Sequence, residues 1–330
     1  LLSFSLRILY LLLTAQSTFH RSLLHMTNKS VQPIFRVPPT IAFGDQRASA
    51  QRWFKTSSLE FGLIGGFSHY NGDLVKTTFE SRAMKPSFGL ITRYSPQQRL
   101  TIRLSAQYGQ IEGRDDWYED RSETRNLSFE SDLWDFTGAL EYNFKTLDRR
   151  AKSGVIPYVY TGFSVFKFNP KAEFNYDPSG QMAAYLTPGV YGELADRDGE
   201  MVELQPLGTE GQGTTEFNDR KRYALTQVAI PVGAGFKFKL SHNWIVGVDY
   251  GMRFTFTDYM DDVSETYVDP QRLTAQYGPM SAAMADRSEV LHDELLNNRR
   301  GDPNDNDIYG IFGVTIMYRI YGNRPSCPTF

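Results

Sequence analysis

The chain has 330 residues, a formal net charge of −3 and a mean hydropathy of −0.41, with 14% aromatic and 22% charged residues. This composition excludes a disordered chain or a coiled coil, and the longest apolar run, 8–13, is too short for a spanning helix. The longest basic run, 220–222, is too short to neutralise a phosphate backbone, so no nucleic-acid partner is expected. A transmembrane β-barrel is still allowed, because its strands are apolar only at alternate positions.

Residues 1–50 carry weak features of an export signal. An apolar stretch at 8–13 follows Arg7, and the small residues 48–50 suit a cleavage site before Gln51. The two features lie far apart, and Pro33, Pro38 and Pro39 interrupt the segment between them. We therefore interpret 1–50 as a poorly formed export segment and 51–330 as an outer-membrane barrel with a periplasmic C-terminal tail.

From residue 59 onward, apolar and polar residues alternate with the period of two that places side chains on opposite faces of a strand. The pattern predicts eight strands, at 59–69, 88–94, 100–108, 134–144, 156–168, 223–240, 244–257 and 309–320. We expect the second to begin before residue 88, because a tilted strand needs about 9 to 11 residues to cross a bilayer. The fifth is the weakest prediction, since neither of its faces is polar.

The predicted connections alternate in length. Short links at 95–98 and 241–243 and a moderate link at 145–155 alternate with longer links at 71–86, 110–126, 169–222 and 259–307. Outer-membrane barrels have short periplasmic turns and long external loops. The sequence therefore predicts an all-β fold, an eight-stranded antiparallel transmembrane β-barrel with long external loops and both ends of the barrel chain on the periplasmic side. The alternative is a soluble β-sandwich, whose loops seldom alternate so regularly.

The residues on the two faces of these strands indicate that one face lines the barrel interior and the other contacts lipid. The polar face carries the charged residues Arg93, Arg103, Asp135, Glu141, Lys237, Asp249, Arg253 and Arg319. Eight strands leave room only for side chains, so we expect a hydrogen-bonded interior plug, with Asp249 a candidate partner of Arg253. The apolar face carries rings near the strand ends, where amphipathic side chains meet lipid headgroups: Tyr94, Tyr108, Trp134, Phe144, Trp244, Phe256 and Tyr318.

Metal and catalytic sites were sought among the remaining polar residues. Calcium ligands could come from 196–200, from 302–307, or from Asp258, Asp261 and Asp262. Such stretches more often form solvated turns, so we predict no metal and no cofactor. Ser68 and His69 are adjacent on one strand and point to opposite faces, which argues against a direct Ser–His pair and against an enzyme.

Several segments resemble PorG-like outer-membrane proteins of the Bacteroidetes type IX secretion system. RNLSF at 125–129, Trp134 and LEYNF at 140–144 are similar to the fourth-strand region of that family, and LQPLGTEGQG at 204–213 to its third external loop. TFTDY at 255–259, DDVS at 261–264, the segment 300–309 and the pair Cys327-Pro328 resemble its last two strands and tail. The likeness runs in order over 59–330.

This resemblance implies a non-enzymatic envelope component that ties a periplasmic ring, built from a lipoprotein and a partner protein, to the outer membrane. Two alternatives stay open, a lipid-modifying barrel enzyme and a stand-alone structural or adhesin barrel acting through its external loops. Cys327 is the single cysteine and lies in the predicted periplasmic tail. An odd cysteine in an exported protein suggests an intermolecular disulfide, and the ring lipoprotein is the expected partner if the resemblance holds.

Overall fold

The computed structural model describes residues 57–75, 77, 80–118, 125–146, 153–186, 188–214, 217, 220–288 and 298–322. In this part of the chain, eight long antiparallel strands form a closed barrel, which confirms the predicted fold. They are β1 (Ser58–Asn71), β2 (Lys85–Ser95), β3 (Leu100–Arg114), β4 (Ser128–Asn143), β5 (Gly154–Lys167), β8 (Thr226–Lys239), β9 (Trp244–Thr255) and β10 (Ile308–Tyr321). The first and last strands pair from Ser58–Tyr321 to Asn71–Ile308 and so close the barrel.

The long connections contain the remaining regular structure. Two short strands, β6 (Pro170–Glu173) and β7 (Met201–Glu203), pair with each other, and β6 also continues alongside β4. The α-helices are α1 (Gln181–Tyr185), α2 (Pro188–Gly192), α3 (Pro270–Tyr277) and α4 (Pro279–Ala285), and 3₁₀ helices span Ser81–Ala83, Asp115–Trp117, Ala195–Arg197 and Gln205–Leu207. Among the described residues, every helix is too short or too polar to cross a membrane.

The outer wall of the barrel is apolar over a band that ends abruptly. On β4 the outward side chains change from polar Asp132 to exposed Trp134, and on β3 from apolar Tyr108 to polar Gln110. Tyr108 and Trp134 contact each other at this edge, with ring centroids 4.9 Å apart, and Trp244 contacts Tyr318 near the other end at 5.4 Å. An apolar band between aromatic girdles is the lipid-facing surface of an outer-membrane barrel, and it places the protein in that membrane.

Above the band the faces of the strands exchange polarity. On β3 and β4, the inward side chains of Ile111, Phe129 and Leu133 are buried and apolar, whereas the outward Gln110 and Glu130 are exposed. The exchange explains why β3 and β4 extend beyond their predicted limits at residues 108 and 134. Beyond these residues the alternation continues, but the polar side chains now point outward and the apolar ones inward, because water surrounds the outer face.

The fifth strand has an aromatic inner face. Tyr158 and Tyr160 point into the barrel and are buried, whereas Val159 and Phe163 are exposed on the lipid side. The neighbouring strands make room with glycine, since a Cβ atom at Gly233 would lie 2.3 Å from the Tyr160 ring. A tyrosine buried inside a barrel resembles an apolar residue in the sequence pattern, which explains why neither face of this strand reads as polar.

The four long connections fold together over one end of the barrel. We call them loops L1 (72–84), L2 (115–127), L3 (168–225) and L4 (256–307), and their described parts together the cap. One buried apolar cluster draws on all four loops, with Leu74, Leu127, Phe174, Met182, Leu204, Met260, Leu273 and Met284 among its members. The same cluster includes Tyr70, Phe129 and Tyr309 at the adjoining ends of the strands, so the loops pack together and onto the barrel. The short turns, the start of β1 and the end of β10 lie at the opposite end of the barrel.

Candidate functional site

The structure places all eight predicted polar-face charges inside the barrel. Arg93, Arg103, Asp135, Glu141, Lys237, Asp249 and Arg253 are almost fully buried, and Arg319 is partly exposed near the short-turn end. At that end, Arg319 pairs with Glu60 at 2.6 Å, and Arg93 lies between Glu60 at 3.9 Å and Glu141 at 3.2 Å. Lys237 also pairs with Glu141. Cations and carboxylates thus alternate across this layer.

The middle of the bore is organised around Asp249. Its carboxylate accepts a hydrogen bond from Arg103 Nη1 at 2.8 Å and another from the Tyr158 hydroxyl at 2.8 Å. The same hydroxyl accepts a hydrogen bond from Arg93 Nη2 at 3.0 Å, and the Arg103 guanidinium lies over the Tyr160 ring, 4.3 Å from its centroid. Large side chains with mutual hydrogen bonds therefore fill this part of the bore.

Arg253 pairs with Asp135, so the prediction that Asp249 is its partner is wrong. Arg253 Nε lies 3.3 Å from Asp135 Oδ2, and the Tyr309 hydroxyl donates to the same oxygen at 2.7 Å. Residues four apart on one strand are separated by roughly 13 Å, so Asp249 is out of reach, whereas a strand across the bore supplies a carboxylate at the right height.

The sequence prediction missed several interior residues, among them Glu60, Tyr158, Tyr309 and Lys239. Glu60 lies between outward-facing Leu59 and Phe61, so the alternation rule itself would have found it. Tyr158 and Tyr309 were not recognised because their rings match the apolar pattern, although their hydroxyls bind Asp249 and Asp135.

The cap has a polar core of its own, centred on Arg300 and Glu210. Glu210 is fully buried and accepts hydrogen bonds from the backbone N–H groups of Ser264 and Glu265 at 3.0 and 2.9 Å. Arg300 Nη1 donates to Glu210 Oε1 at 3.0 Å and to the carbonyl of Asp262 at 2.5 Å. These contacts join L3 to both ends of L4.

Two further interactions join the remaining loops. Arg125 binds both carboxylate oxygens of Asp115 at 2.7 Å and donates to the carbonyls of Asp73 and Arg300 at 2.8 and 2.6 Å. Asp262 adopts a left-handed backbone conformation with φ of 64°, and its carboxylate accepts from the hydroxyls of Thr209 and Tyr223. Burial raises the pKa of Asp262 to about 6, although the nearby Arg300 opposes this increase.

Several acidic side chains of the cap are buried close to one another. The Tyr70 hydroxyl lies 2.7 Å from Asp261 Oδ2 and 2.5 Å from Asp307 Oδ1. A hydroxyl has a single proton to donate, so this arrangement favours a proton on one of the two carboxyl groups. Burial and the charges of neighbouring acids raise the pKa of Asp261 and of Asp307, and burial raises that of Asp258 to about 9. The expectation that Asp258, Asp261 and Asp262 are solvated is therefore wrong, since all three are buried.

The other candidate ligand segments form turns. Asp302 accepts from the backbone N–H of Asn304 at 3.4 Å, and in the segment 196–200 the backbone N–H of Glu200 donates to the carbonyl of Arg197 at 3.1 Å. In the described part of the chain, no three carboxylate, histidine or cysteine side chains are grouped so that they could hold a metal ion.

Ser68 and His69 lie on opposite faces of β1, as predicted. The Ser68 hydroxyl donates to the carbonyl of Gln110 at 2.6 Å on the inner side, whereas His69 stacks on Tyr250 outside, with 2.9 Å between Nε2 and the phenol oxygen. The serine and the histidine therefore do not form a nucleophile–base pair. Cys327 and the segment 1–50 lie outside the described residues.

Comparisons with known proteins show a match to one family model and a likeness to several solved β-barrel structures. Among solved structures, OprG from Pseudomonas aeruginosa is 9% identical, with 81% of this chain and 97% of that chain covered and a TM-score of 0.35. Ail of Yersinia pestis is 10% identical, with 81% and 99% covered and a TM-score of 0.32. The N-terminal barrel domain of Pseudomonas aeruginosa OprF is 11% identical, with 80% and 97% covered and a TM-score of 0.31. These likenesses carry no argument about activity.

A search of curated proteins gave no match. A family model described as "Domain of unknown function (DUF6089)" matches residues 50–194 and 207–282. Because the two matched segments cover more than half of the chain, the protein belongs to the DUF6089 family.

Proposed function

We propose that this chain is a PorG-like outer-membrane component of the type IX secretion system that ties the periplasmic ring to the outer membrane. The observation that carries the proposal is where the resembling segments lie in the fold. Segments 125–129, 204–213, 255–264 and 300–309 are far apart in sequence, yet they contribute Arg125, Glu210, Asp262 and Arg300 to the polar core of the cap. The segment 140–144, in contrast, lies at the end of β4 in the barrel wall. The meeting of four distant segments in one packed region supports a shared structure rather than scattered coincidence.

The barrel interior supports a scaffold role. Ion pairs and tyrosine hydroxyls fill the bore at three levels. The ion pair of each level is Glu60–Arg319, Asp249–Arg103 or Asp135–Arg253. Opening a pore would require several of these buried pairs to separate, each at a large cost in desolvated charge. A filled barrel suits anchoring, and we propose that the chain has no enzymatic activity of its own.

The ring would be reached from the periplasmic side. The barrel presents there the turns that follow β2, β4 and β8, together with the end of β10 at Tyr321. Cys327, six residues further along the chain, is the proposed covalent contact, through an intermolecular disulfide with the ring lipoprotein.

Copurification tests the anchor role. An affinity tag inserted at Gly199, on the exposed cap, leaves the periplasmic side free for partners. Purification from chemically crosslinked envelopes should recover the ring lipoprotein and its partner, and a strain lacking the chain should retain type IX cargo in the periplasm. Normal cargo secretion together with a ring that does not copurify would refute the proposal.

The disulfide is tested separately. Non-reducing gels of native envelopes should show an adduct that disappears on reduction and in a Cys327→Ser variant. Finding only a monomer with an alkylatable thiol would show that the disulfide is wrong, while copurification would still decide the anchor role.

A further inference from the structure

A polar cleft opens on the side of the cap. Its volume is about 510 Å³, and its walls come from the ends of β3 and β4, from L2, from L3 and from the segment that follows α4. Arg287, Ser128, Asn126, Asn175 and Tyr191 line it. Loops distant in sequence thus form one concave surface with converging polar groups, the usual form of a ligand site.

Arg287 distinguishes this cleft from the rest of the cap. Its Nη1 and Nη2 donate to the hydroxyl and the carbonyl of Ser128, at 3.1 and 2.8 Å, and both acceptors are neutral. Its Nε is buried without a hydrogen-bond acceptor. Among the described residues, it has no carboxylate partner, whereas Arg114, Arg125 and Arg300 in the same region pair with Asp116, Asp115 and Glu210.

This guanidinium is costly as it stands. Burial of the guanidinium and the charge of Arg300 lower the pKa of Arg287 to about 10, while the residue stays partly exposed at the cleft. A cation that has no counter-ion among the described residues is unfavourable in such a place. The Nη groups of this guanidinium donate only to the neutral oxygens of Ser128, and a planar guanidinium is well suited to pair with a carboxylate or phosphate group. The chemistry of the cleft wall therefore calls for an anion.

The remaining lining favours a ligand rich in hydroxyl groups. Asn126 and Asn175 offer amide donors and acceptors, and Tyr191 stacks on Tyr176 with ring centroids 5.0 Å apart. The acidic residues of the wall already have partners, since Asp177 accepts from the Ser179 backbone N–H and hydroxyl, and Asp116 from Arg114. Asp286, the third acid of the wall, accepts from the Ser288 backbone N–H and hydroxyl. These acids are therefore engaged by other groups, and Asp115 and Asp262 attract Arg287 only at longer range.

The height of the cleft above the hydrocarbon is one at which saccharides are found. Ser128 is six residues along β4 from Trp134, the edge of the apolar band, and six residues at about 40° of strand tilt place it roughly 15 Å above the hydrocarbon. The sugars of outer-leaflet glycolipids occupy this level, and soluble saccharides reach it from outside.

We propose that this cleft binds an acidic saccharide whose carboxylate or phosphate pairs with Arg287. The proposal does not depend on a role in secretion.

Calorimetry with the full chain in neutral detergent tests the proposal with two matched pairs of ligands. Cellobiouronic acid should bind at least tenfold more tightly than cellobiose, and glucose 6-phosphate at least tenfold more tightly than glucose. Arg287→Gln should abolish the preference for the acidic member, and Arg287→Lys should retain part of it. Arg272→Gln, on the exposed face of α3, is the matched control and should bind as the wild type does.

Each other outcome has a defined meaning. Equal binding within both pairs, no binding at all, or an unchanged preference in folded Arg287→Gln would overturn the proposal. If inorganic phosphate binds as tightly as glucose 6-phosphate, the site recognises an anion alone and the saccharide assignment is wrong. If both Arg287 variants misfold, the two ligand pairs on the wild type decide. Vesicles that contain lipopolysaccharide distinguish the two sources of the saccharide. If the vesicles compete with cellobiouronic acid for the protein, the natural ligand is the glycolipid. If they do not compete, it is a soluble saccharide.

Discussion

Arg300 shows how one buried side chain can hold the cap together. It pairs with Glu210 at 3.0 Å, lies 3.9 Å from Asp262, and also donates to the carbonyls of Asp262 and Ala285. Arg299, its neighbour in the chain, is exposed and pairs with Asp302 at the surface. The two arginines carry the same charge but have very different surroundings.

We therefore expect Arg300→Met to destabilise the cap by about 3–5 kcal/mol, because Glu210 and Asp262 would be left as buried charges without their cation. Arg299→Met should change stability by about 0–1 kcal/mol, as is usual for an exposed pair. Urea unfolding followed by near-UV circular dichroism measures both. Equal effects of the two substitutions would show that the Arg300 contacts do not stabilise the cap.

From the buried acids we expect the stability of the folded state to fall as the pH rises, whereas carboxylates in ordinary salt bridges make it rise. The pKa of Asp258 is raised from 3.8 to about 9, so the folded state holds this proton more tightly than the unfolded chain. Its contribution to stability is complete below pH 4 and is lost as the pH rises toward 9. The raised pKa values of Asp261 and Asp307 act in the same direction.

The midpoint of thermal unfolding of the cap should therefore fall between pH 5 and pH 9. Asp258→Asn removes one titrating group and should make that fall smaller, whereas Asp196→Asn, in an exposed turn, should leave it unchanged. A fall as steep in Asp258→Asn as in the wild type would contradict the assignment of the proton to this carboxyl.

At the scale of the strand, the apolar band divides one β-strand into environments with different solvents. Val248 lies on the outer face of β9 between Trp244 and Phe254, within the band. Gln110 lies on the outer face of β3, beyond Tyr108 and outside the band. Both side chains point away from the barrel, so they differ mainly in the medium that surrounds them.

Val248→Arg should therefore destabilise the barrel by roughly 2–4 kcal/mol, because an arginine near the bilayer midplane must enter hydrocarbon. Gln110→Arg places the same side chain in water and should cost little. Reversible urea unfolding in lipid vesicles gives both values. A similar cost at the two positions would mean that the band does not mark the bilayer. Gly247 is unsuitable as a control, since a Cβ atom there would lie 2.4 Å from Thr315 Oγ1 inside the barrel.

At the largest scale, the barrel formed by the described residues has two unequal ends. One end is the cap, which has a polar core and an apolar cluster that continues into the strand ends, and the other consists of short turns such as the one between Lys239 and Trp244. Outer-membrane barrels place long loops outside and short turns in the periplasm. This asymmetry gives the direction of insertion.

Tags placed at Gly199 in L3 should be cleaved by protease added to intact cells, whereas a tag at His242, in the β8–β9 turn, should be protected until the outer membrane is opened. Both positions are exposed in the fold, so the difference tests orientation rather than burial. Cleavage at His242 in intact cells would invert the proposed topology.

The sequence by itself determined the number of barrel strands, their order and which side chains face lipid. Leu100, Ile102 and Leu104 alternate with polar residues because each strand separates a lipid from a polar interior, and that requirement is local. The eight interior charges were identified for the same reason. The prediction failed beyond Tyr108 and Trp134, where the solvent changes and the pattern changes phase with it.

Only the tertiary structure decided which groups meet. Arg253 pairs with Asp135 and not with Asp249, because the partner is chosen by strand register and by height across the bore, which no single strand encodes. The cap core, in which Glu210 meets Arg300, and the unpaired Arg287 beside Ser128 depend on how separate loops close over one another. Local periodicity carries no information about such long-range closure, so the barrel could be predicted from the sequence and the cap with its cleft could not.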